Sequence, residues 1–194
     1  MSEAADRWGE WQKHNARGKR GAGALHAEID RIARAGGITS PVTTTRGLKA
    51  RLRYLDNPAG RAELAAQGVS RRLLRSWERG TTPSAAKLKA VDAAYWNRRR
   101  QNIVRSGALK RILDNNGHGR RIEIFPVDQS TVPEQFRRPL SDRSIQARYI
   151  WGDTVRAWAA NDFDTLDEIW DDIISELDSD FLAYAYVSAI GIGA

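Results

Sequence analysis

The chain has 194 residues, contains no cysteine and carries a formal net charge of +7. Its length allows one or two small domains. The lack of cysteine excludes disulfides and thiolate metal sites, and it is compatible with a reducing cytoplasm. No apolar run approaches the roughly 20 residues of a membrane-spanning helix, and the N-terminus lacks a signal-peptide pattern. The composition therefore predicts a folded cytoplasmic protein without a membrane partner.

The charges are divided unevenly along the chain. Residues 1–125 contain 26 Lys and Arg against 11 Asp and Glu, a net charge of +15. Residues 126–194 contain 5 against 13, a net charge of −8. A basic first part is typical of proteins that bind a polyanion such as nucleic acid, and an acidic second part favours a protein partner. Arg outnumbers Lys, which favours bidentate contacts to phosphates or bases.

The first 44 residues are predicted to form a basic N-terminal arm followed by a helix. Residues 2–15 have the apolar spacing of a short helix, whereas residues 16–21 are basic and glycine-rich, which predicts a mobile segment. That segment is either a DNA-contacting arm or a solvated linker. Ala22–Ala35 is then predicted to be a helix that ends before Gly36-Gly37.

Residues 45–105 are predicted to be a helical domain that contains a helix-turn-helix. Thr45 can cap the first helix, and Asn57-Pro58 ends it and begins the next one. A turn at Gly68-Val69 follows, and a further helix starts at Ser70. Glycine suits a turn position with positive φ, and serine suits a helix N-cap.

The helix after this turn has one apolar face and one basic face. Val69, Leu74 and Trp77 have the spacing to face the preceding helix. The other face carries the predicted DNA-contacting residues Ser70, Arg71, Arg72, Arg75, Ser76 and Arg79. Arginine in a major groove can form two hydrogen bonds with guanine or bind phosphates. The alternative is a solvated basic helix on a small bundle.

Ser84 is predicted to cap a long helix that runs to about Arg105 and carries a second basic cluster near its end. Arg98, Arg99 and Arg100 are predicted to contact the DNA backbone, and the alternative is that they complement the helix dipole. A short helix over Ala108–Asp114 follows.

Residues 106–194 are predicted to be an acidic α+β domain. Residues 120–127 alternate as a half-buried strand does, and residues 129–142 form a proline-containing loop. Two helices are predicted, over about residues 144–160 and 164–177, with Asp164 as the cap of the second. A second strand is predicted over residues 182–192 and can pair with the first. The predicted fold class is therefore mainly α with a small α+β part and a short β-sheet.

The charged and aromatic clusters of the C-terminal part do not predict a catalytic site. Five carboxylates could suggest a metal-dependent nuclease, but helical spacing scatters them around a cylinder. They are Asp162, Asp164, Asp171, Asp172 and Glu176. The three histidines lie far apart, and no phosphate-binding glycine loop precedes a helix. Tryptophans within the predicted helices are expected in the core. We therefore expect no metal, no cofactor and no enzymatic turnover.

Several segments together resemble a known family. They are GLKARLRYL, LAAQGVSRRLLRSWERG, WNRRRQNIVR and ARYIWGDTVRAWAANDFDTLDEIWDDII, within residues 46–177. Their order resembles the telomere-associated terminal proteins of linear chromosomes and plasmids in Streptomyces and related actinobacteria. The resemblance implies binding to telomeric DNA and covalent attachment to its 5′ ends. In that family a protein hydroxyl primes the synthesis that fills in the recessed end.

The resemblance places the linking hydroxyl in the loop after the first C-terminal strand, just before a basic pair. Thr131 is the best match and Ser130 the next, and Arg137-Arg138 follows. A priming hydroxyl needs exposure, a mobile loop and nearby cations, and we expect all three here. The protein would then be a nucleotide acceptor that associates with the nucleoid and contacts replication proteins through its acidic domain.

Two other functions use the same helix-turn-helix. One is a transcriptional repressor of plasmid or phage origin that dimerises through its acidic part. The other is a nucleoid or conjugation accessory protein. The DNA site and the oligomeric state, including a homo-oligomer, are left open by the sequence.

Overall fold

Helices and a small antiparallel sheet make up the described part of the chain. The structure is a computed structural model and describes residues 12–177 and 181–193. Over these residues the helices span Gly21–Ala35 (α1), Thr45–Tyr54 (α2), Pro58–Ala66 (α3), Arg71–Glu78 (α4), Ala85–Ser106 (α5), Ala108–Asp114 (α6), Trp151–Ala160 (α7) and Phe163–Ser175 (α8). The strands span Lys19–Arg20 (β1), Arg120–Pro126 (β2), Arg143–Ala147 (β3) and Tyr186–Ile192 (β4). The predicted fold class, mainly α with a small β-sheet, is confirmed.

The chain divides into two units that differ in charge. The helical unit comprises Ile32–Gly107, and the sheet unit comprises the residues up to Arg31 together with those from Ala108 onwards. By sequence the helical unit has 16 Lys and Arg against 4 Asp and Glu, a net charge of +12. The sheet unit has 15 against 20, a net charge of −5. The described residues 12–31 thus group with the C-terminal part, whereas the sequence predicted a separate segment over residues 1–44.

Side-chain caps define the helix starts of the helical unit. Asn57 accepts a hydrogen bond from the Gly60 amide, and Pro58 is the first residue of α3, as predicted. Ser84 accepts from the Lys87 amide at the start of α5, also as predicted. The cap of α2 is Thr44, one residue before the predicted Thr45.

The core of the helical unit is a small apolar cluster with one buried cation beside it. Its fully packed members are Leu55, Leu64, Val69, Val91, Ala94 and Tyr95. Arg51 is 5% exposed, and its guanidinium donates to Asp92 and to the carbonyl oxygens of Ser40 and Gly47. Because each of these bonds replaces one to water, the buried charge is compensated. Arg51 therefore joins α2 to α5 and to the segment before α2.

The sheet unit is built on a four-stranded antiparallel sheet in the order β1-β4-β2-β3. Ile122 of β2 lies opposite Ile192 of β4 and Ile145 of β3. The predicted pairing of the first C-terminal strand with the last one is confirmed. Helices cover the sheet with large side chains that are almost fully buried, namely Trp151, Trp158, Trp170 and Tyr184. Three of the predicted core tryptophans are therefore in the core, as expected.

One predicted helix starts too early. Residues 144–160 were expected to be helical, but residues 143–147 form β3 and the helix begins only at Trp151. Ile145 and Ala147 are buried while Ser144 and Gln146 are exposed, which is the alternation of an edge strand. The next predicted helix is capped by Asp162, whose carboxylate accepts from the Thr165 amide, and not by Asp164.

The predicted mobile basic arm is wrong for residues 16–21. Arg17 and Asp128 exchange both backbone hydrogen bonds at 2.9 Å, and Lys19-Arg20 pairs with β4. A side chain at Gly21 would collide with the Trp170 indole. Pairing satisfies the backbone polar groups of this segment and holds it to the sheet. The predicted helix over residues 2–15 lies mostly outside the described residues.

Within the described residues, none of the helices is long and apolar enough to cross a bilayer.

Candidate nucleic-acid interface

The turn between α3 and α4 has the geometry that its glycine predicts. Gly68 adopts φ +70°, and its amide donates to the Ala65 carbonyl at 2.9 Å. The Val69 amide donates to the Leu64 carbonyl at 2.8 Å. This pair of bonds is a Schellman motif, and the apolar contact that accompanies it joins Val69 to Leu64 in the core. The Lys87 ammonium also donates to the Gly68 carbonyl, at 2.7 Å, which fixes the turn against the start of α5.

The helix after the turn, α4, is oriented by its apolar side. Ser70 caps it by accepting a hydrogen bond from the Leu73 amide at 3.3 Å, as predicted. Val69 is 2% exposed, and Leu74 and Trp77 pack against the core cluster. These contacts determine which side of the helix remains in solvent. No residue of α4 itself is fully buried. The helix is therefore held to the core through the side that carries Leu74 and Trp77.

The solvent side of α4, which we call the α4 arginine face, consists of Arg71, Arg72, Arg75 and Arg79. All four residues are exposed, and Ser70 at the cap is exposed as well. Within residues 12–177 and 181–193, none of the four guanidiniums has a carboxylate partner. The fold therefore leaves four guanidiniums available to an external anion.

Ser76 lies at the margin of this face. Its side chain is half-buried, and its hydroxyl donates to the Leu73 carbonyl at 2.7 Å, within the same helix. The hydroxyl proton is thus engaged, although its oxygen can still accept a hydrogen bond. Ser76 is therefore less suited to donate to DNA than the four arginines.

The second predicted basic cluster does not form one surface. Arg98, Arg99 and Arg100 are consecutive in α5 and so point about 100° apart. All three are half-buried. Arg98 donates to Gln101 at 3.0 Å, and Arg99 donates to the Ala33 carbonyl at the end of α1 at 3.4 Å. Arg99 thereby donates to the last turn of α1, a contact that neither the DNA-backbone prediction nor the dipole alternative for the end of α5 included.

A third group of cations was not predicted from the sequence. Arg46, Lys49 and Arg53 are exposed on α2, separated by three and four residues. Their spacing in the sequence is sufficient to predict a shared basic face, because residues three and four apart lie on one side of a helix.

The predicted hydroxyl loop is exposed but internally hydrogen-bonded. Ser130 and Thr131 are both exposed. Thr131 donates its hydroxyl proton to the Asn15 carbonyl at 2.7 Å. The amide and hydroxyl of Ser130 hydrogen-bond the Asp128 carboxylate and, with Arg17 nearby, hold the pKa of Asp128 below its ordinary value. Arg137 donates to the Ser130 carbonyl at 3.1 Å.

Contacts at both ends close this loop, whereas its predicted mobility stays a prediction. The Gln129 amide side chain donates to the Arg138 carbonyl at 3.0 Å and accepts from the Arg138 amide at 2.8 Å, which closes the loop. Phe136 stacks on His14 with ring centroids 4.0 Å apart. These contacts hold the segment in place because they satisfy its polar groups at both ends.

The acidic residues of α8 do not converge. Within the part of the chain that the structure describes, no three His, Asp or Glu side chains form a group that could hold a metal ion. Asp162 caps the helix, and its bonds to Thr165 lower its pKa. Burial raises the pKa of Asp167 and of Asp171, and Arg20 opposes that rise. Asp162 thus stabilises the start of α8, and Asp167 and Asp171 lie partly buried near Arg20.

No family model, curated protein or solved structure matches this chain. The resemblance to terminal proteins therefore stays a prediction, and the geometry of the described residues carries the functional argument.

Proposed function

We propose that this chain binds double-stranded DNA by inserting α4 into the major groove. The observation that supports this most is the α4 arginine face, four exposed guanidiniums without carboxylate partners on a helix fixed by a Gly68 turn and a Ser70 cap. A duplex offers a major groove about 12 Å wide, which admits an α-helix with its side chains. Eight residues of helix are about 12 Å long, enough for three or four contacts.

The charge of the helical unit supports the same proposal. A net charge of +12 on 76 residues gives a field that attracts a polyanion at a distance. Arginine favours bidentate contacts with guanine or phosphate over diffuse attraction. In this proposal the sheet unit, with its net charge of −5, is a protein-facing part, and the protein is associated with the nucleoid.

The test is a fluorescence-anisotropy titration at fixed salt with a random-sequence duplex and with a site selected by the wild-type protein. The variant R71A/R72A/R75A/R79A removes the α4 arginine face. The matched control K13A/R121A/R148A/R156A removes four exposed cations of the sheet unit. We expect the first variant to lose the preference for the selected site, at about 1–3 kcal/mol for each arginine that contacts a guanine. Equal affinity for the two variants and the wild type would reject the proposal.

We propose as a second role that the loop after β2 supplies a hydroxyl to prime DNA synthesis, and Ser130 is the stronger candidate. The hydroxyl of Thr131 is engaged with Asn15, whereas that of Ser130 faces Asp128, and Arg137 is close to Ser130. The Ser130 oxygen would bond to the α-phosphorus of a deoxynucleoside triphosphate, pyrophosphate would leave, and Asp128 or water would take the proton. A separate polymerase would supply the metal ions.

Incubation with a radiolabelled deoxynucleotide in a polymerase-competent extract, followed by phosphoamino-acid analysis, tests this role. We expect label on serine in the wild type, no label in S130A and retained label in T131V. Label on threonine would restore Thr131 as the acceptor. Absence of label in the wild type would reject priming and favour the repressor alternative, which leaves the DNA-binding proposal standing.

A further inference from the structure

The exposed face of α2 carries three cations that the fold does not use. Arg46, Lys49 and Arg53 are exposed and lie along one side of the helix, which we call the α2 basic face. None of them has an ion pair with any residue in the described part of the chain, and the sequence of α2 contains no acidic residue. Like charges at these spacings repel each other and destabilise a helix slightly. The face therefore gives the fold no electrostatic benefit.

Neighbouring cations of the same unit show the contrast. Arg51, on the opposite side of α2, is buried and pairs with Asp92 at 2.6 Å. Arg61 of α3 pairs with Asp56 at 2.6 Å. The unit thus pairs cations with Asp92 and Asp56, yet leaves the α2 basic face without a carboxylate partner among the described residues.

The long helix α5 shows where the α2 basic face lies relative to α4. Arg51 contacts Asp92, and Tyr54, three residues later in α2, accepts a hydrogen bond from Asn102 at 2.8 Å. Helix α2 therefore runs in the direction of α5, with Arg46 toward the start of α5. Lys87, at that same start, donates to the Gly68 carbonyl in the turn before α4. The beginning of α2 and the beginning of α4 are consequently at the same end of α5.

We infer that Arg46, Lys49 and Arg53 bind backbone phosphates of the duplex that α4 enters, without contacting base edges. This inference rests on the proposed function. The three residues span seven helical rises, about 10 Å, and phosphates of one strand follow at about 3.4 Å along the duplex axis. The face is thus long enough for its three side chains to reach different phosphates of one strand. Phosphate contacts position a protein on DNA and carry no sequence information of their own.

The experiment measures affinity against salt concentration for three proteins on a random-sequence duplex and on the selected site. The test variant is R46A/K49A/R53A, and the control R121A/R148A/R156A removes the same charge from exposed positions of the sheet unit. Each lost phosphate contact lowers the salt slope by about 0.9. We expect the slope of the test variant to fall by about 2.7, which reduces the affinity loss between 50 and 200 mM salt by about 40-fold.

The other results separate this inference from the proposed function. The test variant should lose affinity equally on both duplexes and keep the preference for the selected site, whereas the control should keep the wild-type slope. The charge-retaining variant R46K/K49R/R53K should also keep that slope, which excludes misfolding as the cause of the loss. An unchanged slope in the test variant, with binding still lost on removal of the α4 arginine face, would overturn the inference alone. Failure of the wild type to bind either duplex would overturn both.

Discussion

The two units of this chain differ in how many of their surface cations form ion pairs. In the sheet unit, three surface arginines have carboxylate neighbours: Arg20 contacts Asp167, Arg121 contacts Glu123, and Arg156 contacts Asp153. In the helical unit, Arg51 and Arg61 are paired, but the α4 arginine face and the α2 basic face are not. Both units therefore form ion pairs, but only the helical unit has a large excess of positive charge.

This difference distinguishes cations that stabilise the fold from cations that remain available to a binding partner. An excess charge of +12 raises self-repulsion and lowers the stability of a compact unit. Exposed ion pairs contribute little, about 0–1 kcal/mol each. The helical unit instead depends on its small apolar core and on one buried cation, which makes it the unit that single substitutions should affect most.

The largest expected effect comes from Arg51→Ala. The change removes the guanidinium that donates to Asp92 and to the carbonyls of Ser40 and Gly47. Because the Asp92 side chain is 34% exposed and can be solvated, the cost arises mainly from the lost buried side chain and the unsatisfied acceptors, about 2–3 kcal/mol. We expect the free energy of unfolding of the helical unit to fall by about that amount, with amide hydrogen-exchange protection lost within Ile32–Gly107. Arg53→Ala, two residues away and exposed, should stay within about 0.5 kcal/mol of wild type in the same urea titration. Similar losses in the two variants would refute the distinction between structural and surface cations.

A smaller effect is expected from Gly68→Ala. The added Cβ has only an ordinary contact, 3.5 Å from the Lys87 ammonium, so the cost arises from the left-handed backbone at φ +70°. That conformation costs a non-glycine residue about 1–2 kcal/mol. Gly23→Ala in α1 is the control with the opposite sign, because its Cβ meets open space in a helix, and it should stabilise by about 0.5–1 kcal/mol. Urea midpoints measure both, and destabilisation by Gly23→Ala would contradict the backbone argument.

The smallest effects concern pH and fall on the sheet unit. The Asp128 carboxylate has a lowered pKa because of Ser130, so its contribution to stability is present above the ordinary aspartate pKa and is lost as pH falls through its own lower value. Burial raises the pKa of Asp171, so its contribution is present at low pH and is lost as pH rises through that raised value. NMR titration of the two carboxyl carbons should give midpoints on opposite sides of the ordinary value. Midpoints in the reverse order would show that the loop contacts do not persist in solution.

Local signals predicted the helical unit well because its elements are defined by neighbours in sequence. The caps at Asn57, Ser70 and Ser84 and the turn at Gly68 all lie within a few residues of the helix ends that they determine. Thr44 was missed by one position because the run of threonines offers equivalent hydroxyls.

The sheet unit was harder to predict because its contacts are distant in sequence. The sequence predicts helix over β3 because Ile145 and Ala147 also fit the apolar spacing of the helix that follows. Only the pairing of β3 with β2 identifies the segment as a strand. Strand β1 has two residues and depends on β4, more than 160 positions later. The predicted loop after β2 was in the right place, but its contact with Asn15 could not be foreseen from local composition.

The most direct test of the account is an NMR titration of the uniformly ¹⁵N-labelled 21.7 kDa chain with an unlabelled duplex that carries the selected site. The account predicts that the largest amide shift changes occur from Ser70 to Arg79, with smaller changes around Arg46 to Arg53. It also predicts that the amide resonances of β2 and α8 keep chemical shifts close to those of the protein without DNA. Largest changes within the sheet unit, or no changes at saturating duplex, would contradict the claim that the helical unit is the DNA-binding part.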